Sequence, residues 1–141
     1  SRMDGLQAAI LSAKLPHISE WNRKRYDNAL LYNERLNECN GIHIPIIRPD
    51  STHIFHLYVV RTDKRLELQN YLKENGIETA IHYPTALPFL KAYEYLGHRP
   101  EDFPVAYKYQ KEILSLPMYP ELTEDMIDFV TGKIKEFFKQ K

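Results

Sequence analysis

Cysteine is nearly absent. Cys39 stands alone among 141 residues, so the chain can make no internal disulfide and anchor no cysteine-based zinc site. That usage fits a reducing compartment, and the cytoplasm is the expected location. An excess of either charge is missing too: 19 Lys plus Arg balance 19 Asp plus Glu. Phosphate binding needs a clear cationic surplus, so nucleic acid is not expected as a partner. No apolar run approaches the roughly 20 residues of a membrane-spanning helix, and no membrane partner is expected. No charged-then-apolar leader precedes a cleavage site, so a signal peptide is not expected either. Glycine is scarce and scattered. The five glycines, at 5, 41, 76, 97 and 132, never cluster, which excludes a P-loop and a dinucleotide fingerprint. There is no Gly-x-Ser-x-Gly elbow.

What is present is enough to fold. Hydrophobic residues make up 43% of the chain and aromatics 12%, sufficient for one domain with a real core. The sequence enters helical periodicity at once, with no starting methionine, and residue 1 reads as a cut in a longer chain. Leu6, Ala9, Ile10 and Ala13 fall on one helical face, and Asp4 is placed to cap it. Pro16 should kink this helix. The pattern resumes through Ile18, Trp21, Ala29, Tyr32 and Leu36, with Asn40-Gly41 as its end.

The run "HIFHLYVVR" is apolar on both faces and reads as a central strand. Thr62 or Asp63 then caps a helix bearing Leu66, Leu68 and Leu72, which Asn75-Gly76 ends. "IETAIHY" reads as a second strand, with Ile77, Thr79, Ile81 and Tyr83 on one face and Glu78, Ala80 and His82 on the other. A short helix is expected in "PFLKAYEYLG", and Asp102-Phe103-Pro104 opens another that runs to about Lys111. "ILSLPMY" reads as a third strand. Thr123 caps a final helix whose Met126, Ile127, Val130, Ile134, Phe137 and Phe138 form an amphipathic stripe. The expectation is an α+β domain: a small three-stranded sheet with helices packed on it.

Chemistry-bearing residues are few. His53 and His56 lie three apart on a predicted strand, hence on opposite faces, and no metal site is expected. His56 in "HLYVV" reads as a hydrogen-bonded core histidine. "NRKR" at 22–25 reads as a wet helix face, and Trp21 with the tyrosines as packing residues. His82-Tyr83-Pro84 stands out, because a strand terminus presents side chains able to donate, accept or grip a polar ligand.

Taken together, "SRMDGLQAAILSAKL", "WNRKR", "HLYVVR", "GIETAIHYP", "AYEYLG", "DFPVA" and "LSLPMYPELT" occur in an order and spacing that resembles one family over essentially the whole chain. The chain resembles the C-terminal part of the DegT/StrS pyridoxal-phosphate-dependent sugar aminotransferases. The resemblance implies that residues 1–141 are the small C-terminal domain of a fold-type-I aminotransferase, led by a long helix, with a mainly antiparallel three-stranded sheet. It implies that the large N-terminal domain, which carries the Schiff-base lysine and most ligands of pyridoxal 5'-phosphate, lies outside this sequence.

The implied reaction moves an amino group from glutamate to a keto group of a nucleotide-linked deoxysugar, for polysaccharide, lipopolysaccharide or glycan biosynthesis, in a homodimer. His82, Tyr83 and Arg2 match positions implied to bind substrate. No catalytic residue is implied within the chain, no cofactor ligand is identified in it, and the chain alone is expected to be inactive. Many members continue His-Tyr-Pro-x-Pro-x-His-Leu-Gln. Here Ala86, Pro88 and Leu90 stand where those members have proline, histidine and glutamine, which resembles the subgroup making 3-amino-3,6-dideoxyhexoses from dTDP-linked 3-keto sugars. Two other readings remain open: a pyridoxamine-phosphate-dependent sugar dehydratase of the same family, and a non-catalytic α+β binding module.

Overall fold

The structure, a computed structural model, describes residues 2–139. Helix α1 spans Gly5–Lys14 and opens on a full capping box: the Gln7 amide donates to Asp4 Oδ1 at 2.8 Å, and Gln7 Oε1 accepts from the Asp4 amide. At Pro16 the helix does not merely bend. A 3-10 turn at Leu15–His17 separates α1 from α2, Ile18–Leu36, as expected where a proline removes one backbone donor. α2 ends at Leu36, earlier than Asn40-Gly41 suggested; Gly41 instead takes a left-handed φ of 94° in the turn that follows. Of "NRKR", expected as a wet face, Arg23 and Lys24 are exposed, with Lys24 paired to Glu20 at 2.8 Å, while Asn22 and Arg25 are half-buried.

The sheet differs from expectation. It has two strands, β1 at Tyr58–Arg61 and β2 at Ile113–Leu116, antiparallel with Val60 opposite Leu114 and Tyr58 opposite Leu116. The run predicted as the second strand, 77–83, meets β2 at a single bridge: Ala80 and Ser115 exchange both backbone bonds, at 3.1 and 2.8 Å. The ladder stops there for a local reason. In a strand, alternate residues bond to the same neighbour, so the next donors on this edge of β2 belong to Ile113 and Pro117. The Ile113 amide is already spent capping α4 (Pro104–Glu112) through the Tyr109 carbonyl, and Pro117 has no N–H. The expected third strand is therefore an extended arm pinned at one point.

Between β1 and β2 lie α3 (Arg65–Glu74) and α4, and α5 (Glu124–Lys139) closes the chain. Leu68 and Leu72 of α3 are fully buried while Leu66 faces solvent. Thr62 supplies the side-chain bond at the start of α3, accepting from the Lys64 amide at 3.2 Å. Gly76, at φ 76°, ends that helix, with the Ile77 amide returning to the Leu72 carbonyl. The segment expected as a helix in "PFLKAYEYLG" forms two 3-10 turns, Leu87–Phe89 and Lys91–Leu96.

Helices α2, α3 and α5 pack with the two strands around one core. Its centre is aromatic: the Tyr32 and Tyr58 rings stack with centroids 4.7 Å apart, and both side chains are fully buried. Each phenol has a partner, Tyr32 donating to the Pro117 carbonyl at 3.0 Å and Tyr58 to Asn33 Oδ1 at 2.7 Å. Burial pushes both phenols above the ordinary tyrosine pKa. His56, expected in the core, is exposed; the neighbouring Phe55 occupies the interior instead.

Candidate functional site

The pinned arm positions the site. Ser115 lies at the centre of β2, between the buried Leu114 and Leu116, and is itself buried. Because Ala80 pairs with it, His82 is carried two residues along the arm to the same face. The His82 Nδ1 atom lies 2.9 Å from Ser115 Oγ. The chain then turns at Tyr83 and Pro84 into the loop before the 3-10 turn at Leu87–Phe89, and the His82 and Tyr83 rings meet edge to face at 5.6 Å.

This arrangement borders a cavity of about 610 Å³. His82, Tyr83 and the loop through Leu90 form one side, and Ala106, Tyr109, Gln110 and Ile113 form the other. The size is in the range of small-molecule sites. The walls are mainly apolar, with Pro84, Ala86, Leu87, Leu90, Ala106 and Ile113 among them, and among the described residues no lysine, arginine, aspartate or glutamate lines it. Polar capacity comes from the His82 imidazole, the Tyr83 and Tyr109 phenols, the Thr85 hydroxyl and the Gln110 amide.

α4 holds the far wall in place. Gln110 Oε1 accepts from the Ala86 amide at 2.9 Å, tying the loop to the helix, while Arg65 donates to the Gln110 carbonyl. Arg61 of β1 stacks over the Tyr109 ring at 3.9 Å and pairs with Glu112 at 3.0 Å. The charged residues near the cavity thus serve as its backing.

Of the residues singled out from the sequence, His82 and Tyr83 stand together on the cavity wall. His82 is half-buried, whereas Tyr83 is 73% exposed and free to meet something outside this chain. Arg2 is exposed just ahead of α1 and does not line the cavity. Ser115, Tyr109 and Gln110 were not singled out. Ser115 had left a trace as the one polar residue inside the apolar run "ILSLPMY"; Gln110 had none, since a glutamine on a wet helix looks like any other.

Among the described residues no three His, Cys, Asp or Glu side chains gather as a metal would need. Cys39 lies outside the cavity, and burial pushes its thiol up, against the pull of Lys135 and Lys139. Among the described residues no helix is long and apolar enough to cross a membrane.

Comparisons with known proteins match nearly the whole chain. Residues 1–135 match the DegT/DnrJ/EryC1/StrS aminotransferase family. A pleiotropic regulatory protein of Geobacillus stearothermophilus is 43% identical over 141 residues, covering 99% of this chain and 38% of that protein. The dTDP-3-amino-3,6-dideoxy-alpha-D-galactopyranose transaminase of Aneurinibacillus thermoaerophilus is 36% identical over 137 residues, covering 97% of this chain and 37% of the relative. Among solved structures, Streptomyces venezuelae DesV in complex with a ketimine intermediate superposes with a TM-score of 0.93 at 33% identity. That match covers 98% of this chain and 37% of the solved one. The chain thus spans little more than a third of the relatives it matches. With nearly its whole length matched in sequence and in shape, this chain belongs to the DegT/DnrJ/EryC1/StrS aminotransferase family.

Proposed function

We propose that residues 1–141 form the C-terminal small domain of a pyridoxal-phosphate-dependent sugar aminotransferase, and that the cavity bordered by His82 and Tyr83 is the sugar-facing wall of its active site. The observation that carries this reading is the neutral, mainly apolar lining behind one anchored histidine. The cofactor's phosphate calls for cations or clustered backbone donors, and a covalent link to it calls for a lysine. Neither stands in the cavity wall, so these residues do not fit as the holder of pyridoxal 5'-phosphate. They fit a partly deoxygenated sugar ring, with apolar surface against its carbons and a few donors and acceptors for its oxygens.

On this reading the cofactor, bound by the rest of a longer protein, supplies the electron sink for amino transfer. The residues of this chain orient the substrate and exclude water. His82 grips a ring oxygen from its anchored position, Tyr83 reaches across from the exposed edge, and the Pro84–Leu90 loop covers the sugar. Glutamate is the proposed amino donor and a dTDP-linked 3-keto-6-deoxyhexose the proposed acceptor, after the Aneurinibacillus relative. The product would enter polysaccharide or glycan synthesis in the cytoplasm, and the working enzyme would be a homodimer. Arg2, outside the cavity, keeps a substrate role only if another part of the enzyme brings it there.

The test is a titration of the isolated chain with pyridoxal 5'-phosphate, followed by absorbance. No stable lysine-linked band is expected, and no amino transfer. A stable band abolished by one lysine substitution would overturn the reading.

A further inference from the structure

Ser115 is placed to do more than fill a strand. Its side chain is buried, and among the described residues His82 Nδ1 is the only hydrogen-bond partner of its Oγ. Its strand is held on both edges: the flanking Leu114 and Leu116 pair with Val60 and Tyr58 of β1, and Ser115 itself exchanges both backbone bonds with Ala80. The hydroxyl is therefore held at a set height above the arm that carries His82.

We infer that Ser115 is a positioning residue that fixes the imidazole of His82, so that its Nδ1 accepts from Ser115 Oγ–H and its Nε2–H is presented to an oxygen of the sugar substrate. The direction of the bond follows from satisfaction of the hydroxyl. With Oγ–H donating to Nδ1, the buried proton has a partner. With Nδ1–H donating instead, that proton is left buried with no acceptor, an arrangement folded chains avoid. A neutral imidazole carries one proton, so occupying Nδ1 as an acceptor assigns it to Nε2. Nε2 has no partner among the described residues, and His82 lines the cavity. The site thereby gains a fixed donor on its sugar-facing wall. A keto, ether or hydroxyl oxygen can accept from it; an ammonium group cannot.

The ligand-facing half of this inference rests on the proposed function; the Ser115–His82 half does not, and the experiment separates them. Thr and Val have nearly the same shape and differ by the hydroxyl, so Ser115→Thr and Ser115→Val form a matched pair. Nitrogen-15 spectra of the His82 ring in the chain itself give the position of the proton. The expected wild-type spectrum has a protonated Nε2 and a hydrogen-bonded, unprotonated Nδ1, retained in Ser115→Thr and lost to tautomer exchange in Ser115→Val. A protonated Nδ1 in the wild type, or identical spectra in the two variants, overturns the inference. The wild-type spectrum decides even where a variant fails to fold. In the full-length parent, Ser115→Val should raise KM for a dTDP-linked 3-keto-6-deoxyhexose about fivefold, the size of one neutral hydrogen bond, while Ser115→Thr stays near wild type. The predicted spectra with an unchanged KM in both Ser115→Val and His82→Ala would keep the anchored tautomer and overturn the sugar-facing role.

Discussion

Helices α1 and α5 carry apolar stripes of similar spacing, and the chain covers only one of them. In α5, Ile127, Val130 and Ile134 are buried against α2 and α3. In α1 no residue is buried: Leu6 is 74% and Ile10 48% exposed. A capping box starts α1 and good helix formers fill it, so it forms without a tertiary partner on its apolar side. An amphipathic stripe records that a face is to be covered; where the cover comes from is a separate matter. The candidate site repeats the contrast. His82 is tied from within the chain by Ser115, while Tyr83 beside it points outward.

Substitutions that separate the two helices should show the largest effects. Ile134→Ala should cost about 2–5 kcal/mol, because it empties a fully buried position. Ile10→Ala should stay within about 0.5 kcal/mol, as surface changes do. Urea unfolding of both variants checks this pair, and a large loss at Ile10 would mean that α1 is covered in solution by something in this chain or a second copy of it.

Glycines give a second pair with opposite signs. At Gly41, φ is 94° and an added Cβ would lie 2.5 Å from the Phe138 ring. Gly41→Ala should therefore destabilise by about 1–3 kcal/mol, combining backbone strain with overpacking. Gly132 sits inside α5 with open space around it. Gly132→Ala should stabilise by about 0.5–1 kcal/mol through helix propensity alone. Thermal unfolding would show both, and a destabilised Gly132→Ala would indicate a partner packed on that side.

The aromatic core supplies a pH test. The folded-state pKa values of Tyr32 and Tyr58 are raised above the unfolded value by burial. Their contribution to stability is fully present below the ordinary tyrosine pKa of about 10 and is lost as pH rises above it. Phenolate absorbance should show Tyr32 and Tyr58 ionising late, together with the unfolding of the chain. Loss of that late phase in a folded Tyr32→Phe variant is expected, and an unchanged late phase would contradict the stacked, buried pair. A small effect is expected of Arg35→Ala. Half-buried Arg35 meets the exposed carboxylates of Glu34, Glu124 and Asp128, each at 2.7 Å. Its loss should cost less than any core substitution and shrink further as salt is added.

How far the sequence could be read divides along the same line. Local signals were legible: the Asp4 cap, a disturbance at Pro16, the Gly76 stop and the Ile127, Val130 and Ile134 part of the α5 stripe each follow from neighbours within a few residues, though Met126 of that stripe is exposed and Pro16 ends a helix rather than kinking it. The third strand was not. Its side-chain alternation is genuine, since Ile77 is buried and Ile81 packs on the core. Yet its ladder depends on β2, where a proline lacks a donor and a helix cap occupies the other, and alternation in one strand carries no record of its neighbour's edge. His56 failed for a related reason: a short apolar run does not say which of its residues points inward, and the chain turned Phe55 in. At the site, His82 and Tyr83 could be named because they end the arm, whereas Ser115 and Gln110 became visible only once strand and helix were brought together.

The most direct test of the claim that this chain supplies one wall of a sugar site is His82→Ala in the full-length parent. Cofactor absorbance and amino transfer are measured together. The expected result is an unchanged cofactor spectrum with KM for the nucleotide-linked keto sugar raised about tenfold or more, the loss of a well-placed donor in a closed site. An unchanged KM, or a lost cofactor band with the fold intact, would contradict it.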